Sequence, residues 1–381
     1  MNAVANPQTL NSQSPNVPSA AALTVRESRD FRAYHDFLRA ARNLMEGPLV
    51  VQMHDRYEQK LGAMGGPAPQ DWREVERHLD GLTEFQLYNW YYRNLQRFKY
   101  HRPDVGIFAT LQTQRAELTA LLDASATAAG DDLRLNPALQ LPEYFRAVPF
   151  HQHTGGVAHD ALDGIAYEIG RRTTVPAHSD PNGIYRILYE SLPQNRPYLR
   201  VLDWGVGHGA GLITWQQLHP ESECYGVDLS APCLKLANHR GRELGMRLRL
   251  SQQDLQHMDF PDGMFDLIFF NFMLHELPPA NTPALLREAC RVLKPGGLFA
   301  GGEFHLKPGD VFQNAVQRTH AFTNNEAYAT PWYDTPVEKI AREVGFSKVK
   351  IAPFERLIRS VVRPGRKPIN GNYWNLYILE K

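Results

Sequence analysis

The sequence predicts an α/β protein in two parts: a doubly wound, mostly parallel sheet of seven strands over residues 196–381, and a mostly helical region ahead of it. Three observations carry this expectation. Short apolar runs recur through the second part at 199–203, 224–227, 248–250, 265–270, 297–300, 348–354 and 374–379. Helical patterns at 231–244 and 281–293 fall between them, and strand–helix alternation builds a parallel sheet covered on both faces. The first part shows the opposite character, with helical segments at 28–45, 47–62, 70–100 and 106–126 separated by Pro and Gly.

The first strand of the second part reads Val-Leu-Asp-Trp and runs into Gly-Val-Gly-His-Gly, residues 201–209. Glycines at 205, 207 and 209 permit positive φ and let a ligand approach the main chain. Taken alone the turn is ambiguous, because Gly205, Gly207 and Ala210 also fit a dinucleotide fingerprint. A helix over about Ala210–Leu218 leads to a second strand, Cys-Tyr-Gly-Val-Asp-Leu-Ser, whose Asp228 stands 25 residues after Asp203. An acid there suits hydrogen bonds to a ribose diol. A third acid, Asp254, follows in Ser-Gln-Gln-Asp-Leu; next come Phe-Pro-Asp-Gly-Met-Phe-Asp-Leu-Ile-Phe-Phe-Asn (260–271) and Arg-Val-Leu-Lys-Pro-Gly-Gly-Leu-Phe-Ala (291–300). Lys294-Pro295-Gly296-Gly297 carries helix-ending chemistry. The last two strands, about Ser347–Phe354 and Tyr373–Glu380, read as an antiparallel pair joined without a helix.

In order and spacing, these stretches resemble the motifs of the class I S-adenosylmethionine (SAM)-dependent methyltransferases. The resemblance implies a Rossmann-like seven-stranded methyltransferase sheet and SAM as methyl donor. It assigns cofactor contacts to Asp203, Gly205, Gly207, Gly209, Asp228, Leu229, Asp254, Leu255 and Asn271. It also makes Asn271-Phe-Met-Leu-His-Glu276 the segment facing the transferring methyl, with His275 as candidate general base. The helical region is then expected to form a lid over the open end of the sheet.

Between the two parts lies Val148-Pro-Phe-His-Gln-His-Thr-Gly-Gly-Val-Ala-His159, which faintly resembles a segment ahead of the SAM domain in some bacterial natural-product methyltransferases. His151 and His153 join His275 as catalytic candidates. On an extended segment the two imidazoles share a face, which invites a metal reading. No carboxylate completes a ligand spacing, however, and no metal is expected. His208, inside the glycine turn, reads as a local backbone partner. In the helical region Leu87, Trp90, Tyr91, Leu95 and Phe98 read as one aromatic core stripe, with a pocket lining as the alternative.

Lys+Arg and Asp+Glu number 41 each, so no global charge draws the chain to nucleic acid or anionic membrane. No apolar run reaches membrane-spanning length, and the Asn-, Gln-, Ser- and Pro-rich start lacks a secretory signal. Cys224, Cys233 and Cys290 offer no disulfide framework. A reduced, cytoplasmic protein is expected. Its divisions are a disordered tail (1–24), a helical lid (25–150), a connection contributing to the site (151–195) and the SAM-binding domain (196–381). Arg356, Arg359, Arg363, Arg366 and Lys367 cluster near the last strands, a solvated face or a seat for an anionic acceptor. The expected partners are a small-molecule acceptor and, as an open option, a second copy. The expected function is methyl transfer to that acceptor, O-methylation ahead of S- or N-, in secondary metabolism. Cyclisation of SAM's aminobutyryl arm and a non-catalytic interaction role stay open as alternatives.

Overall fold

The computed structural model describes residues 24–174, 183–361 and 373–381. The expected tail, apart from Thr24, lies outside the described residues, as do Arg363, Arg366 and Lys367. The first part is built from α1 (Arg29–Leu44), α2 (Val50–Met64), α3 (Trp72–Leu79), α4 (Thr83–His101), α5 (Ile107–Gln112) and α6 (Arg115–Ala129). The helix expected over 70–100 is two helices, broken at Asp80–Leu82, and that over 106–126 is likewise two. Between α1 and α2 no break occurs, because Met45–Leu49 form a π-helical turn that accommodates Pro48. Then follow β1 (Leu133–Arg134), α7 (Glu143–Ala147), α8 (Asp163–Thr174) and α9 (Gly183–Glu190).

The second part alternates as expected: β2 (Arg200–Trp204), α10 (Ala210–Leu218), β3 (Glu223–Asp228), α11 (Ala231–Glu243), β4 (Leu248–Gln252), β5 (Phe265–Asn271), α12 (Thr282–Val292) and β6 (Leu293–Phe304). Before the last strands come α13 (Val311–Asn324), α14 (Ala329–Trp332) and α15 (Val337–Val344), which the apolar runs had not revealed. The chain ends with β7 (Lys348–Pro353), α16 (Glu355–Val361) and β8 (Trp374–Glu380). The last strand pair is therefore antiparallel as expected but not joined without a helix, since α16 buries Leu357 against the sheet.

The sheet has eight strands in the order β1-β4-β3-β2-β5-β6-β8-β7. Seven are those expected, and the eighth, β1, is a two-residue strand that the helical part adds beside β4. All pairings are parallel except those of β8. The period-2 alternation sorts side chains between layers. Leu202, Ile268, Phe270 and Phe299 pack on one face with α12 and α15, while Val201, Leu267, Phe269 and Ala300 pack on the other with α10 and α11. The order of succession runs outward in opposite senses from β2 and from β5, so the switch point lies between them, and ligands of such sheets bind beyond the carboxyl ends there.

The helical part shares its cores with the sheet-bearing part. Leu236 of α11 joins Phe31, Tyr100 and Ile165, and Phe312 and Val316 of α13 join Met53, Tyr57 and Phe85. A Cβ on Gly164 would stand 2.6 Å from the Pro232 carbonyl oxygen, a measure of how closely α8 meets α11. The aromatic stripe of α4 divides: Tyr91 and Leu95 are buried, but Leu87 and Trp90 are exposed because α1 covers only one flank of the helix.

Candidate active site

The cofactor edge is built from backbone. Gly205, Gly207 and Gly209 all take positive φ, at +79°, +50° and +84°. Gly209 starts α10 in the left-handed conformation, where an added Cβ would meet Ala237 Cβ at 2.7 Å. At Gly207 an added Cβ would approach nothing nearer than the Tyr167 ring at 4.0 Å, so the space above the turn is open there. Gly205 and Val206 N–H both donate to the Val227 carbonyl at 3.0 Å, tying the turn to β3.

Asp228, the last residue of β3, accepts from the Gly207 N–H and the Ser230 N–H, each at 2.8 Å. Burial raises its pKa, and those two N–H groups oppose the rise. Asp203 lies beneath the turn, buried, with its carboxyl against Gly211 and accepting from the Leu212 N–H at the start of α10. Burial, and then the charge of Asp228, push its pKa well above the carboxylate range. Asp254 follows β4 and accepts from the Gln256 N–H at 2.9 Å. Leu229 and Leu255 are buried beside these acids, and Asn271 closes β5 half-buried. Tyr144 of α7, which sequence reasoning missed, feels the charges of both Asp254 and Asp228, so the helical part reaches this edge. These features fit SAM: an open glycine turn, an acid at the end of β3 for a diol, and an acid after β4 for an amine.

The methyl-facing edge is built from charged side chains. Beyond β5 the chain turns through Phe272, whose φ of +49° is rare for a bulky residue. Glu303 of β6, fully buried, holds that turn: one oxygen accepts from the Leu274 N–H at 2.7 Å and the other meets His275 Nδ1 at 2.7 Å. His275 Nε2 lies 3.7 Å from Glu326, which follows α13. His151 meets Glu326 through Nδ1 at 3.2 Å and Glu276 through Nε2 at 3.0 Å. His320 of α13 stands 3.8 Å from Glu326. Three imidazoles thus converge on one buried carboxylate, with Glu303 and Glu276 behind two of them.

Burial alone would lower the His275 pKa, but the charge and hydrogen bond of Glu303, then the charge of Glu326, raise it to about 10. At His151 the hydrogen bonds to Glu276 and Glu326 likewise outweigh burial and raise the pKa to about 9. Burial would raise the Glu326 carboxyl, yet the three imidazoles hold it well below the usual range. His275 and His151 are therefore held as cations near neutral pH. Among the described residues, no group of three or more His, Cys, Asp or Glu is arranged to hold a metal ion.

Of the three histidine candidates, His275 and His151 come together and His153 does not. The segment is not extended as expected: His151 and Gln152 both take positive φ, at 54° and 58°, and this kink turns the two imidazoles apart. His153 is buried against Tyr100 and Phe108 and meets Asp163 Oδ1 at 3.1 Å, while Asp163 also accepts from the His159 and Asp160 N–H groups. That role is structural. An open cavity of about 300 Å³ on that side, lined by His101, Arg115 and Asp160, holds none of the sheet-end residues. His208 finds a side-chain partner, Arg240, at 2.9 Å. Arg356, the one described side chain of the basic cluster, pairs with Glu190.

Glu276, Glu303 and Glu326 were not singled out in the sequence. Glu303 had left a signal, an acid inside the apolar run Leu298-Phe-Ala-Gly-Gly-Glu-Phe304. Glu326 had none, because its partners lie on three other elements.

The methyltransferase-domain family matches residues 201–297, the stretch from β2 into β6. The chain is 31% identical over 113 residues to a demethylmenaquinone methyltransferase of Thermus thermophilus, covering 30% of this chain and 50% of that protein. It is 30% identical over 158 residues to a malonyl-[acyl-carrier protein] O-methyltransferase of Methylococcus capsulatus, covering 41% and 54%. The chain thus spans about half the length of these relatives. Among solved structures, phosphoethanolamine N-methyltransferase 2 of Haemonchus contortus with SAM superposes with a TM-score of 0.45 at 20% identity, covering 64% of this chain and 60% of that one. Residues 201–297 thus match a methyltransferase domain, in keeping with the resemblance to the class I SAM-dependent methyltransferases. SAM is the cofactor of that class.

Proposed function

We propose that the protein transfers a methyl group from SAM to a small-molecule acceptor, with a hydroxyl oxygen as the favoured acceptor atom and secondary metabolism as the setting. The observation that carries this reading is the junction of two edges at one sheet end. The Asp228 carboxylate is fixed beside an open glycine turn, and the His–Glu network follows β5 immediately next to it. Bound SAM supplies a methyl already activated on a sulfonium. Gly205, Gly207 and Gly209 shape its seat, Asp228 holds the ribose, and Asp254 with Leu255 borders the adenine. The protein's remaining task is alignment, which supplies much of the acceleration in a displacement. Residues 25–150 act as the lid and 151–195 bring His151 to the site. The names of the relatives span a quinone precursor, a carrier-bound acyl group and trans-aconitate, which supports methyl transfer as the reaction class without choosing the acceptor. Incubating the protein with SAM and a deproteinised cell extract, followed by mass spectrometry, tests the reading. S-adenosylhomocysteine together with a methylated product is expected. Methylthioadenosine instead would indicate cyclisation of the aminobutyryl arm, and unconsumed SAM a binding role.

A further inference from the structure

The sequence places a base at His275, yet His275 is sealed between Glu303 and Glu326, with a side chain only 3% exposed. Three members of the network reach the surface, His151, Glu276 and His320, with side chains 21%, 24% and 26% exposed, and of these His151 and Glu276 adjoin Tyr167, the ring above the glycine turn. Glu276 also borders the cofactor edge, since its charge acts on Asp228 and on Tyr167, the ring on which His151 stacks. Its backbone is fixed by the Phe272 turn and by the grip of Glu303 on Leu274 and His275. One carboxylate oxygen meets His151 at 3.0 Å, which leaves the second oxygen of Glu276 for another donor. Resting on the methyl-transfer reading above, we infer that Glu276 is the catalytic residue that takes the acceptor's proton, with His151 and Glu326 as positioning residues.

The step balances without a further reagent. The acceptor's O–H bond breaks and its proton passes to a Glu276 carboxylate oxygen. The freed electron pair on oxygen forms the new O–C bond as the methyl–sulfur bond breaks, and that bond's pair stays on sulfur. Glu276 then returns the proton to water after the products leave. The cationic imidazole of His151 orients the carboxylate, and Glu326 holds His151 from its other side. The cationic imidazoles of His151 and His275 have no lone pair for a further proton, and His320 Nε2 is already engaged by Asn324, which leaves the task to the carboxylate.

The test uses the full chain, methyl-labelled SAM and the deproteinised extract, with label transfer measured between pH 6 and pH 8. Glu276→Gln should lower transfer by roughly 10²–10⁴-fold, the ordinary contribution of a positioned base. SAM affinity by calorimetry and the melting temperature should stay close to those of the parent, because the side chain is half-buried and the amide keeps a partner for His151. The residual rate of the variant should climb about tenfold per pH unit, since only acceptor already ionised in solution would react. The groups facing Glu276 are His151, His275, Asp228 and Tyr167, and none of them is altered in the variant. Transfer within threefold of the parent, or a slowed variant whose rate is flat with pH, would overturn the assignment of Glu276 while leaving methyl transfer intact. No label transfer by the parent chain would overturn the underlying reading instead.

Discussion

The two edges of the site are built in opposite ways. The cofactor edge is local: Asp203, the three glycines and Asp228 lie within one strand–turn–helix–strand unit, and backbone N–H groups do most of the holding. The methyl-facing edge is assembled from the 151 segment, the turn after β5, the end of β6 and the end of α13, and buried charge does the holding. A backbone-built edge tolerates change at any position where the main chain can keep its path. A charge-built edge loses most when one of its fully buried partners, Glu303 or Glu326, is removed, because the remaining charges are left without compensation in a dry interior.

The largest effect should therefore come from Glu303. Glu303→Leu leaves the His275 imidazole and the Leu274 N–H without their acceptor, and breaking a buried pair costs about 3–5 kcal/mol. A thermal or urea melt should show that loss, and a variant as stable as the parent would mean that the network is dispensable. The same network has a pH signature. The pKa values of His151 and His275 are raised from 6.5 to about 9 and about 10. Their contribution to stability is thus complete below pH 6.5 and is lost as pH rises through about 9 and about 10. The melting temperature should fall across that window in the parent and fall less steeply in Glu303→Leu.

At the cofactor edge the sharpest structural change is Gly209→Ala. The new methyl would meet Ala237 Cβ at 2.7 Å with φ at +84°, and overpacking of this kind costs about 1–3 kcal/mol. Both stability and SAM binding should fall together, because the residue sets the start of α10. Stability unchanged from the parent would show that α11 moves aside freely. A smaller effect is expected at Asp254. Asp254→Asn keeps an acceptor and should bind SAM weakly but measurably, whereas Asp254→Leu should bind far less. Equal binding by both would place the adenine elsewhere.

The contrast also explains what could be read from the sequence. The helix after the glycine turn was expected over Ala210–Leu218 and is found there, since glycine spacing, apolar pattern and the next strand all act within a few residues. The order of the acids at the strand ends was legible for the same reason. The methyl-facing edge was not. Glu326 reaches His151, 175 residues earlier in the chain, because the end of α13 packs on the turn at Phe150–Gln152, and no periodicity encodes that meeting. The left-handed backbone of His151 and Gln152 was hidden too, because neither residue type signals it, and it separated two histidines that an extended segment would have paired. The α4 stripe shows the same limit: spacing identified the face holding Tyr91 and Leu95 but not how far α1 would cover it.

One measurement bears most directly on the central claim that SAM occupies the glycine turn with its ribose on Asp228. Calorimetric titration of SAM into the parent and into folded Asp228→Ala compares the two. Loss of two hydrogen bonds to a charged group, at about 1.5–3 kcal/mol each, predicts affinity at least tenfold weaker in the variant. Equal affinity in the two proteins would contradict the account and move the cofactor away from the end of β3.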